Sequence, residues 1–207
     1  MREVSLLFDL AKENANHGLG DVKSLFSEYI TRRSTKEPYA YIARKVYFYE
    51  CAFHVDHNTL IPRPDTETLV ESTIDLIQSK YNTGDCVQPF SFLELGIGSG
   101  AIILSVMNNL RNNFKSLDSI KFIGTDISSK AIQIALKNAE SLHLKNYITF
   151  LENDWIDNLD LESFDIIVSN PPYIKKDIVD TLDSSVKELV QLQYYYYYYH
   201  IFFRKYT

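Results

Sequence analysis

Apolar residues at helical spacing begin the chain and predict a helical hairpin. One helical set comprises Val4, Leu6, Leu7, Leu10 and Ala11, and a second comprises Val22, Leu25, Phe26, Tyr29 and Ile30. The stretch 17–20, which contains Gly18 and Gly20, breaks the pattern between them. Aromatic and β-branched residues then concentrate from Ala40 to Val55, at 46–49 and 53–55, and predict a two-stranded ribbon. We therefore expect a small helical domain with a β-hairpin over residues 1–60.

From residue 61 the pattern changes to that of an α/β domain. Pro62 and Pro64 stiffen the chain, and Pro64, which acidic residues follow, is well placed to begin a helix that runs to about Lys80. Apolar runs predict strands at 90–94, 121–125, 148–151 and 164–169, with helices at 101–110 and 130–142. Strands joined by crossover helices form a parallel, doubly wound, Rossmann-like sheet that binds ligands at the strands' carboxyl ends. We expect this domain to cover residues 61–190.

A glycine-rich turn directly follows the first of these strands. It consists of Gly96, Ile97, Gly98, Ser99 and Gly100, and its glycines let the backbone approach a ligand closely. The G-x-G-x-G spacing is one residue tighter than the dinucleotide fingerprint, and no phosphate-binding lysine follows. A nucleoside without a pyrophosphate, such as S-adenosylmethionine, fits this loop better. A tight turn with no ligand is the structural alternative.

Two further positions at strand ends carry candidate ligand contacts. Asp126 ends the second strand, where a carboxylate can accept hydrogen bonds from both ribose hydroxyls of a nucleoside. The alternative role for Asp126 is to cap the helix that follows Ser128. Asp154 and Trp155 follow the third strand and offer an acceptor and a flat face to an adenine, unless the tryptophan only fills the edge of the core.

The stretch Ser169-Asn170-Pro171-Pro172-Tyr173 ends the fourth strand and points to one chemistry. Two prolines cannot continue the strand, so the asparagine is held in a stiff turn at the ligand-facing edge. The Asn170 side-chain oxygen and the Pro171 carbonyl can accept both hydrogens of a planar NH2 group. The nitrogen lone pair then turns toward an electrophilic methyl group, and Tyr173 stacks on the substrate. A proline turn that merely ends a strand is the alternative.

Composition limits the class of protein. The formal net charge is −6, and the charges of residues 1–60 cancel, so the acidic excess lies in the later part and argues against a duplex nucleic acid lying across it. No apolar run approaches the roughly 18 residues of a membrane span, and the N-terminus lacks a secretory signal, so we expect a cytoplasmic protein. Cys51 and Cys86 have no Cys-x-x-Cys spacing, and the histidines form no ligand cluster with them, so no metal site is expected.

With these motifs the chain resembles the HemK (PrmC) family, which methylates the side-chain nitrogen (N5) of a glutamine in class 1 peptide chain release factors. Besides the NPPY turn and the glycine loop, the resemblance rests on Glu37-Pro38-Tyr39-Ala40-Tyr41-Ile42 and the aromatic pair Phe48-Tyr49. The most specific stretch is Leu60-Ile61-Pro62-Arg63-Pro64-Asp65-Thr66-Glu67, because NPPY alone also occurs in adenine-N6 and guanine-N2 methyltransferases.

The resemblance implies a class I methyltransferase sheet, S-adenosylmethionine as cofactor and a class 1 release factor as protein partner, which the helical N-terminal domain helps to grip. The implied cofactor-binding residues are Gly96, Ile97, Gly98, Ser99, Gly100, Asp126, Trp155 and Asn170. The implied substrate-binding residues are Asn170, Pro171, Pro172 and Tyr173, of which Asn170, Pro171 and Tyr173 are catalytic. Ile97 stands where many members carry a hydroxyl residue, which costs one hydrogen bond.

The end of the chain departs from the family pattern. After NPPY the family continues with strands that finish the sheet, whereas here the tyrosine run 194–199 follows. We interpret residues 191–207 as an aberrant tail, such as a frameshift product, and the catalytic sheet as incomplete. The fourth strand is then expected to have one unpaired edge, which is an aggregation hazard.

Two other functions compete with glutamine methylation. The first is a nucleic-acid adenine-N6 methyltransferase, which is disfavoured because it needs a basic recognition region and residues 1–60 are charge-balanced. The second is a truncated product with little or no activity.

Overall fold

The N-terminal part of the chain forms the predicted helical hairpin. The structure is a computed structural model that describes residues 2–83, 90–113, 117, 120–170 and 200–203. Helix α1 (Arg2–Asn16) packs on helix α2 (Val22–Ser34), and their apolar faces bury a small core that includes Leu7, Leu25 and Tyr29. Asp21 caps α2, because its side chain accepts hydrogen bonds from two backbone N–H groups of the first turn. The helical hairpin is thus confirmed, although Val4 and Leu6 of the first apolar set are exposed.

A short helix and a β-hairpin follow. The ribbon was expected to begin at Ala40, but residues Tyr39–Ala43 form helix α3, which begins after Pro38 and ends at Arg44 in the left-handed region. Strands β1 (Lys45–Phe48) and β2 (Cys51–His54) pair antiparallel. Both residues of their turn have positive φ, 43° at Tyr49 and 60° at Glu50, as a tight two-residue hairpin requires. The predicted ribbon is therefore confirmed with a later start.

The double-proline stretch leads into the next helix. Residues Pro64–Thr66 form a single 3-10 turn with proline at its start, and helix α4 (Glu67–Thr83) continues from it. The Glu67 side chain accepts a 3.1 Å hydrogen bond from the backbone N–H of Tyr49. This segment is therefore tied to the tip of the β-hairpin.

Within the described residues the α/β sheet has five strands, in the order β5-β4-β3-β6-β7. The strands are β3 (Phe90–Leu95), β4 (Ile120–Asp126), β5 (Ile148–Glu152), β6 (Ile166–Ser169) and β7 (His200–Phe203), with helices α5 (Ala101–Asn113) and α6 (Ser129–Ser141) between the parallel strands. Strands β3 to β6 are mutually parallel. This is the Rossmann-like α/β class that the sequence predicts.

The expectation that the fourth parallel strand has an unpaired edge is wrong. Strand β7 pairs antiparallel with β6, and the register runs from Ile166 opposite Phe203 to Ser169 opposite His200. The backbone groups of β7 supply the hydrogen-bond partners that an exposed edge otherwise lacks. The tyrosine run 194–199 lies outside the described residues.

The core of the sheet is built from the central strands. Every residue of β3 is buried, and the rings of Phe92 and Phe122 lie 5.7 Å apart between β3 and β4. Strands β3, β4 and β6 end at Leu95, Asp126 and Ser169. The loops that follow these ends lie at one edge of the sheet. No helix in the described part of the chain is both long and apolar enough to cross a membrane.

Candidate functional site

A cavity of about 400 Å3 lies at the carboxyl ends of the parallel strands. It is lined by the loops that follow β3, β4, β5 and β6 and by residues of the 58–66 segment. The volume falls within the range of small-molecule sites. An open α/β sheet binds its ligand at this place, outside the carboxyl ends of its strands.

The glycine loop after β3 shapes the floor of this cavity. Gly96 and Gly98 have φ of 70° and 53°, in the left-handed region that favours glycine. The N–H groups of Gly96 and Ile97 both donate to the carbonyl of Thr125, at 2.8 and 3.0 Å, and this fixes the loop against β4. A Cβ added at Gly96 or Gly98 meets no atom within 4 Å. The backbone therefore leaves room for a ligand to approach closely.

Two other positions of the loop serve packing. A Cβ at Gly100 would lie 3.0 Å from Leu104 and 3.3 Å from Ala135, so this glycine allows α5 and α6 to approach, and it does not line the cavity. The Ile97 side chain is buried and lies over Gly124, where an added Cβ would be 2.8 Å from it. An apolar side chain at position 97 therefore fills space above the sheet.

Asp126 at the end of β4 binds the glycine loop directly. Its Oδ2 accepts a 2.9 Å hydrogen bond from the N–H of Gly98, and its Oδ1 accepts one of 2.9 Å from the N–H of Ser128. The cap of α6 is Ser128, whose hydroxyl accepts from the N–H of Ala131. Asp126 therefore supports the glycine turn but does not cap α6. A carboxylate has about four acceptor positions, so capacity remains for ribose hydroxyls.

A buried carboxyl group lies beneath the same cavity. Glu94 in β3 is only 1% exposed, and its Oε2 accepts a 2.8 Å hydrogen bond from the N–H of Ile103. Burial raises the pKa of Glu94 to about 8, and the nearby Asp126 carboxylate adds to the rise, while the hydrogen bond from Ile103 opposes it. Sequence reasoning assigned no role to Glu94, although an acid inside a largely apolar strand is itself a signal.

The segment after β5 supplies an aromatic wall. Trp155 is half-buried, has a positive φ of 46°, and packs against the core cluster that contains Leu95 and Ile123. The Asn153 side chain donates a 2.9 Å hydrogen bond to the Trp155 carbonyl and fixes this turn. Trp155 also lines the cavity, so its core and ligand-facing roles coexist. Asp154 lines the cavity and is exposed.

Asn170, directly after β6, lines the cavity on the side opposite the loops of β4 and β5. Its Nδ2 donates a 3.2 Å hydrogen bond to Oγ1 of Thr66, which is 4% exposed. Ser169 holds the end of β6 in place, because its hydroxyl donates to the Leu95 carbonyl at 3.0 Å. The NPPY asparagine and the stretch 60–67 therefore meet in space. Pro171, Pro172 and Tyr173 lie outside the described residues.

One buried asparagine joins the hairpin to the glycine loop. Asn138 of α6 is 1% exposed, and its Oδ1 accepts a 2.6 Å hydrogen bond from the N–H of His54. Its Nδ2 donates to the carbonyls of His54 and Ser99, both at 2.9 Å. This residue was missed by sequence reasoning, because a single polar residue in an amphipathic helix carries no pattern. Its three contacts connect strand β2 to the cavity floor.

A second link runs from the helical hairpin to the cavity. Arg32 binds both carboxylate oxygens of Glu37, at 2.8 and 2.6 Å, and this contact lowers the pKa of Glu37. His57 lies 3.1 Å from the same carboxylate, and the Tyr41 hydroxyl donates to the Thr59 carbonyl at 2.8 Å. Residues 58–60 line the cavity. The Glu37 stretch therefore supports one wall of the site.

The structure brings most of the predicted site residues together. Gly96, Ile97, Gly98, Ser99, Asp126, Trp155 and Asn170 all line the one cavity. Besides Glu94, whose raised pKa favours its neutral form, the charged residues among the described lining are Arg63, Asp126 and Asp154, so carboxylates outnumber cations there. Such a site favours a cationic ligand over a polyanion.

These residues fit S-adenosylmethionine. The open space above Gly96 and Gly98 accepts a ligand against bare backbone, Asp126 offers acceptors to ribose hydroxyls, and Trp155 offers a flat face to an adenine. The acidic lining complements the positive charge of the sulfonium and ammonium groups.

Comparison with known proteins also indicates a methyltransferase. Residues 89–193 match a family model described as "Methyltransferase domain". The release factor glutamine methyltransferase of Caulobacter vibrioides is 35% identical over 161 residues, which cover 78% of this chain and 51% of that protein. The release factor glutamine methyltransferase of Francisella tularensis is 40% identical over 162 residues, which cover 78% of this chain and 51% of that protein. The bifunctional methyltransferase of Rickettsia prowazekii is 39% identical over 160 residues, which cover 72% of this chain and 30% of that protein. The chain spans about half the length of the first two relatives.

Proposed function

The chain belongs to the methyltransferase-domain family, and on that premise we propose that it transfers a methyl group from S-adenosylmethionine to the side-chain amide nitrogen of a glutamine. The acceptor glutamine belongs to a class 1 peptide chain release factor. The observation that carries this proposal is the position of Asn170, which lines the same cavity as Gly98 and Asp126 and has its amide nitrogen bonded to Thr66. The names of the relatives support the choice of substrate.

The loops that follow β3, β4 and β5 would hold the cofactor. Their residues line the cavity, where Gly96 to Ser99 would contact the methionyl part, Asp126 would accept hydrogen bonds from the ribose hydroxyls, and Trp155 would contact the adenine. The bound cofactor supplies an electrophilic methyl group. Water is kept from the floor of the site by buried Ile97 and Leu95.

The acceptor amide is held by the turn after β6. The Asn170 Oδ1 accepts one hydrogen of the glutamine NH2 group, and the Pro171 carbonyl accepts the other. Held in this way, the glutamine nitrogen would direct its electron pair at the methyl group that S-adenosylmethionine would supply, so that a C–N bond would form as the methyl–sulfur bond breaks and leaves its electron pair on sulfur. The nitrogen then loses one proton to water, which leaves a neutral N-methyl amide. In this proposal Tyr173 would stack on the flat amide group.

Adenine-N6 methylation of nucleic acid is the competing function. It also needs an NH2 group held by two acceptors, so the turn after β6 alone does not separate the two substrates. The charge of the cavity separates them, because Asp126 and Asp154 line it and Arg63 is the one cation among its described lining residues. A phosphate backbone at this mouth would meet net repulsion, whereas a neutral glutamine on a protein loop would not.

Methyl transfer from labelled S-adenosylmethionine tests this function. The chain is incubated with a class 1 release factor, and mass spectrometry locates the label. We expect one methyl group on a glutamine side-chain nitrogen and none when that glutamine is replaced by asparagine. A single-stranded adenine-containing oligonucleotide serves as the competing substrate. Labelling of the oligonucleotide with none on the release factor would refute the proposal.

A further inference from the structure

We propose that Thr66 is a positioning residue that orients the Asn170 side-chain amide so that Oδ1 faces the substrate. This inference rests on the proposed function and adds to it the group that aligns the acceptor. Thr66 belongs to the stretch 60–67 and lies 104 positions from Asn170, yet its Oγ1 accepts the 3.2 Å hydrogen bond from Nδ2.

The contact determines which end of the amide is available. An asparagine amide has a donor end and an acceptor end, and rotation about its last torsion angle is broad, so an external partner must select the orientation. With Nδ2 directed to Thr66, the planar group directs Oδ1 to the other side. No residue in the described ranges donates a hydrogen bond to that oxygen. Among the described residues nothing occupies Oδ1, which leaves it available to accept a hydrogen from a substrate NH2 group.

Thr66 is itself held firmly. It ends the 3-10 turn that begins at Pro64, and its N–H donates a 3.0 Å hydrogen bond to the Arg63 carbonyl. The side chain is 4% exposed, and a β-branched residue has few χ1 options. The hydroxyl therefore has a fixed position from which to align its partner. Through Thr66, the stretch 60–67 with its two prolines helps to position the residue that binds the acceptor amide.

Replacing Thr66 by valine tests the proposal, because valine keeps the shape and removes the hydroxyl. Thr73→Val is the matched control: Thr73 is also buried, in the adjoining helix α4, and its hydroxyl bonds only a helix carbonyl, that of Leu69 at 2.7 Å. Thr66→Ser keeps the hydroxyl and serves as the rescue. The measurements are kcat/KM with a release factor, S-adenosylmethionine affinity by calorimetry, and hydrogen exchange of the Asn170 side-chain amide by NMR.

For Thr66→Val we expect kcat/KM to fall about five- to tenfold, with cofactor affinity unchanged and the Asn170 amide protons exchanging faster by a similar factor. Thr66→Ser and Thr73→Val should keep the wild-type exchange rate of Asn170 and most of the activity. A fall in cofactor affinity with kcat maintained would overturn the proposal and make Thr66 a cofactor ligand. Equal amide exchange in wild type and Thr66→Val would also overturn it. The exchange measurement needs no substrate, so it separates this proposal from a wild-type chain that fails to methylate release factors.

Discussion

The N–H of Gly98 donates a 2.9 Å hydrogen bond to Oδ2 of Asp126, so the glycine loop after β3 and the end of β4 form one unit. The two residues are 28 positions apart and meet because β3 and β4 are adjacent parallel strands. The carboxylate that is proposed to hold the ribose thus also holds the loop that faces the methionyl part. Changes at either residue should affect both functions.

Asp126→Ala should weaken S-adenosylmethionine binding by about 1–3 kcal/mol, because it removes the ribose acceptor and leaves the N–H of Gly98 without its partner. Isothermal titration calorimetry measures the change. Asp157→Ala is the matched control, since Asp157 is exposed and does not line the cavity. Unchanged affinity in Asp126→Ala would refute the cofactor role of this residue.

Gly98→Ala should remove cofactor binding without an unusual loss of stability. The added methyl group enters the open cavity, and the positive φ costs about 1–2 kcal/mol of unfolding free energy. Gly18→Ala provides the comparison, because Gly18 has a φ of 78° and likewise no atom within 4 Å of an added Cβ. Both variants should lose similar stability in urea unfolding. If Gly98→Ala binds the cofactor as tightly as Gly18→Ala does, the loop is only a tight turn.

Asn170→Ala should lower the turnover of methyl transfer by roughly two to three powers of ten, the scale of losing a well-placed transition-state partner. Cofactor affinity should change little, because the Asn170 oxygen acts on the acceptor amide. Single-turnover kinetics with a release factor, together with calorimetry, separate the two effects. Asn146→Ala, at an exposed position outside the cavity, should behave as wild type. Near-normal transfer by Asn170→Ala would exclude its catalytic role.

Glu94 should make stability depend on pH. Its pKa in the folded chain is about 8, above the ordinary value of 4.5, so the folded state keeps a proton that the unfolded state releases between these values. The free energy of unfolding should therefore fall as pH rises from about 4.5 to 8, by on the order of 4 kcal/mol, and level off above that range.

Urea unfolding across this pH range, for wild type and Glu94→Gln, measures the effect. The glutamine side chain still accepts the hydrogen bond from Ile103 but does not titrate, so this variant should lack the slope. Glu71→Gln, at an exposed position, should keep it. Parallel pH profiles for wild type and Glu94→Gln would show that Glu94 is charged in the folded chain near neutral pH.

Asn138→Ala should destabilise the fold by about 3 kcal/mol or more, because it leaves the N–H and carbonyl of His54 and the carbonyl of Ser99 without their buried partner. Thermal and urea unfolding report the loss, with Gln133→Ala on the exposed face of the same helix as control. Cofactor affinity should fall as well, since Ser99 belongs to the glycine loop. A stability equal to that of the control would show that the hairpin is held by apolar packing alone.

The sequence alone was sufficient to predict most helices and strands of the α/β sheet and which loop residues meet at its carboxyl edge. The spacing of apolar residues along the chain distinguishes helices from strands. The glycine loop, Asp126 and Asn170 each stand at the end of an apolar strand. In a parallel sheet the carboxyl ends of all strands meet at one edge, so residues there converge whatever their separation along the chain. That general property made the cavity predictable, and its lining confirms that these positions meet.

Only the tertiary structure determines which side chains contact one another. The contacts of Thr66 with Asn170 and of Asn138 with His54 join segments 104 and 84 positions apart, and neither pair has a local pattern. The raised pKa of Glu94 depends on how completely the sheet and α5 exclude water from it. The pairing of β7 with β6 was likewise not predictable, because strand pairing depends on which edge a segment can reach, and hydrophobic period carries no information on that.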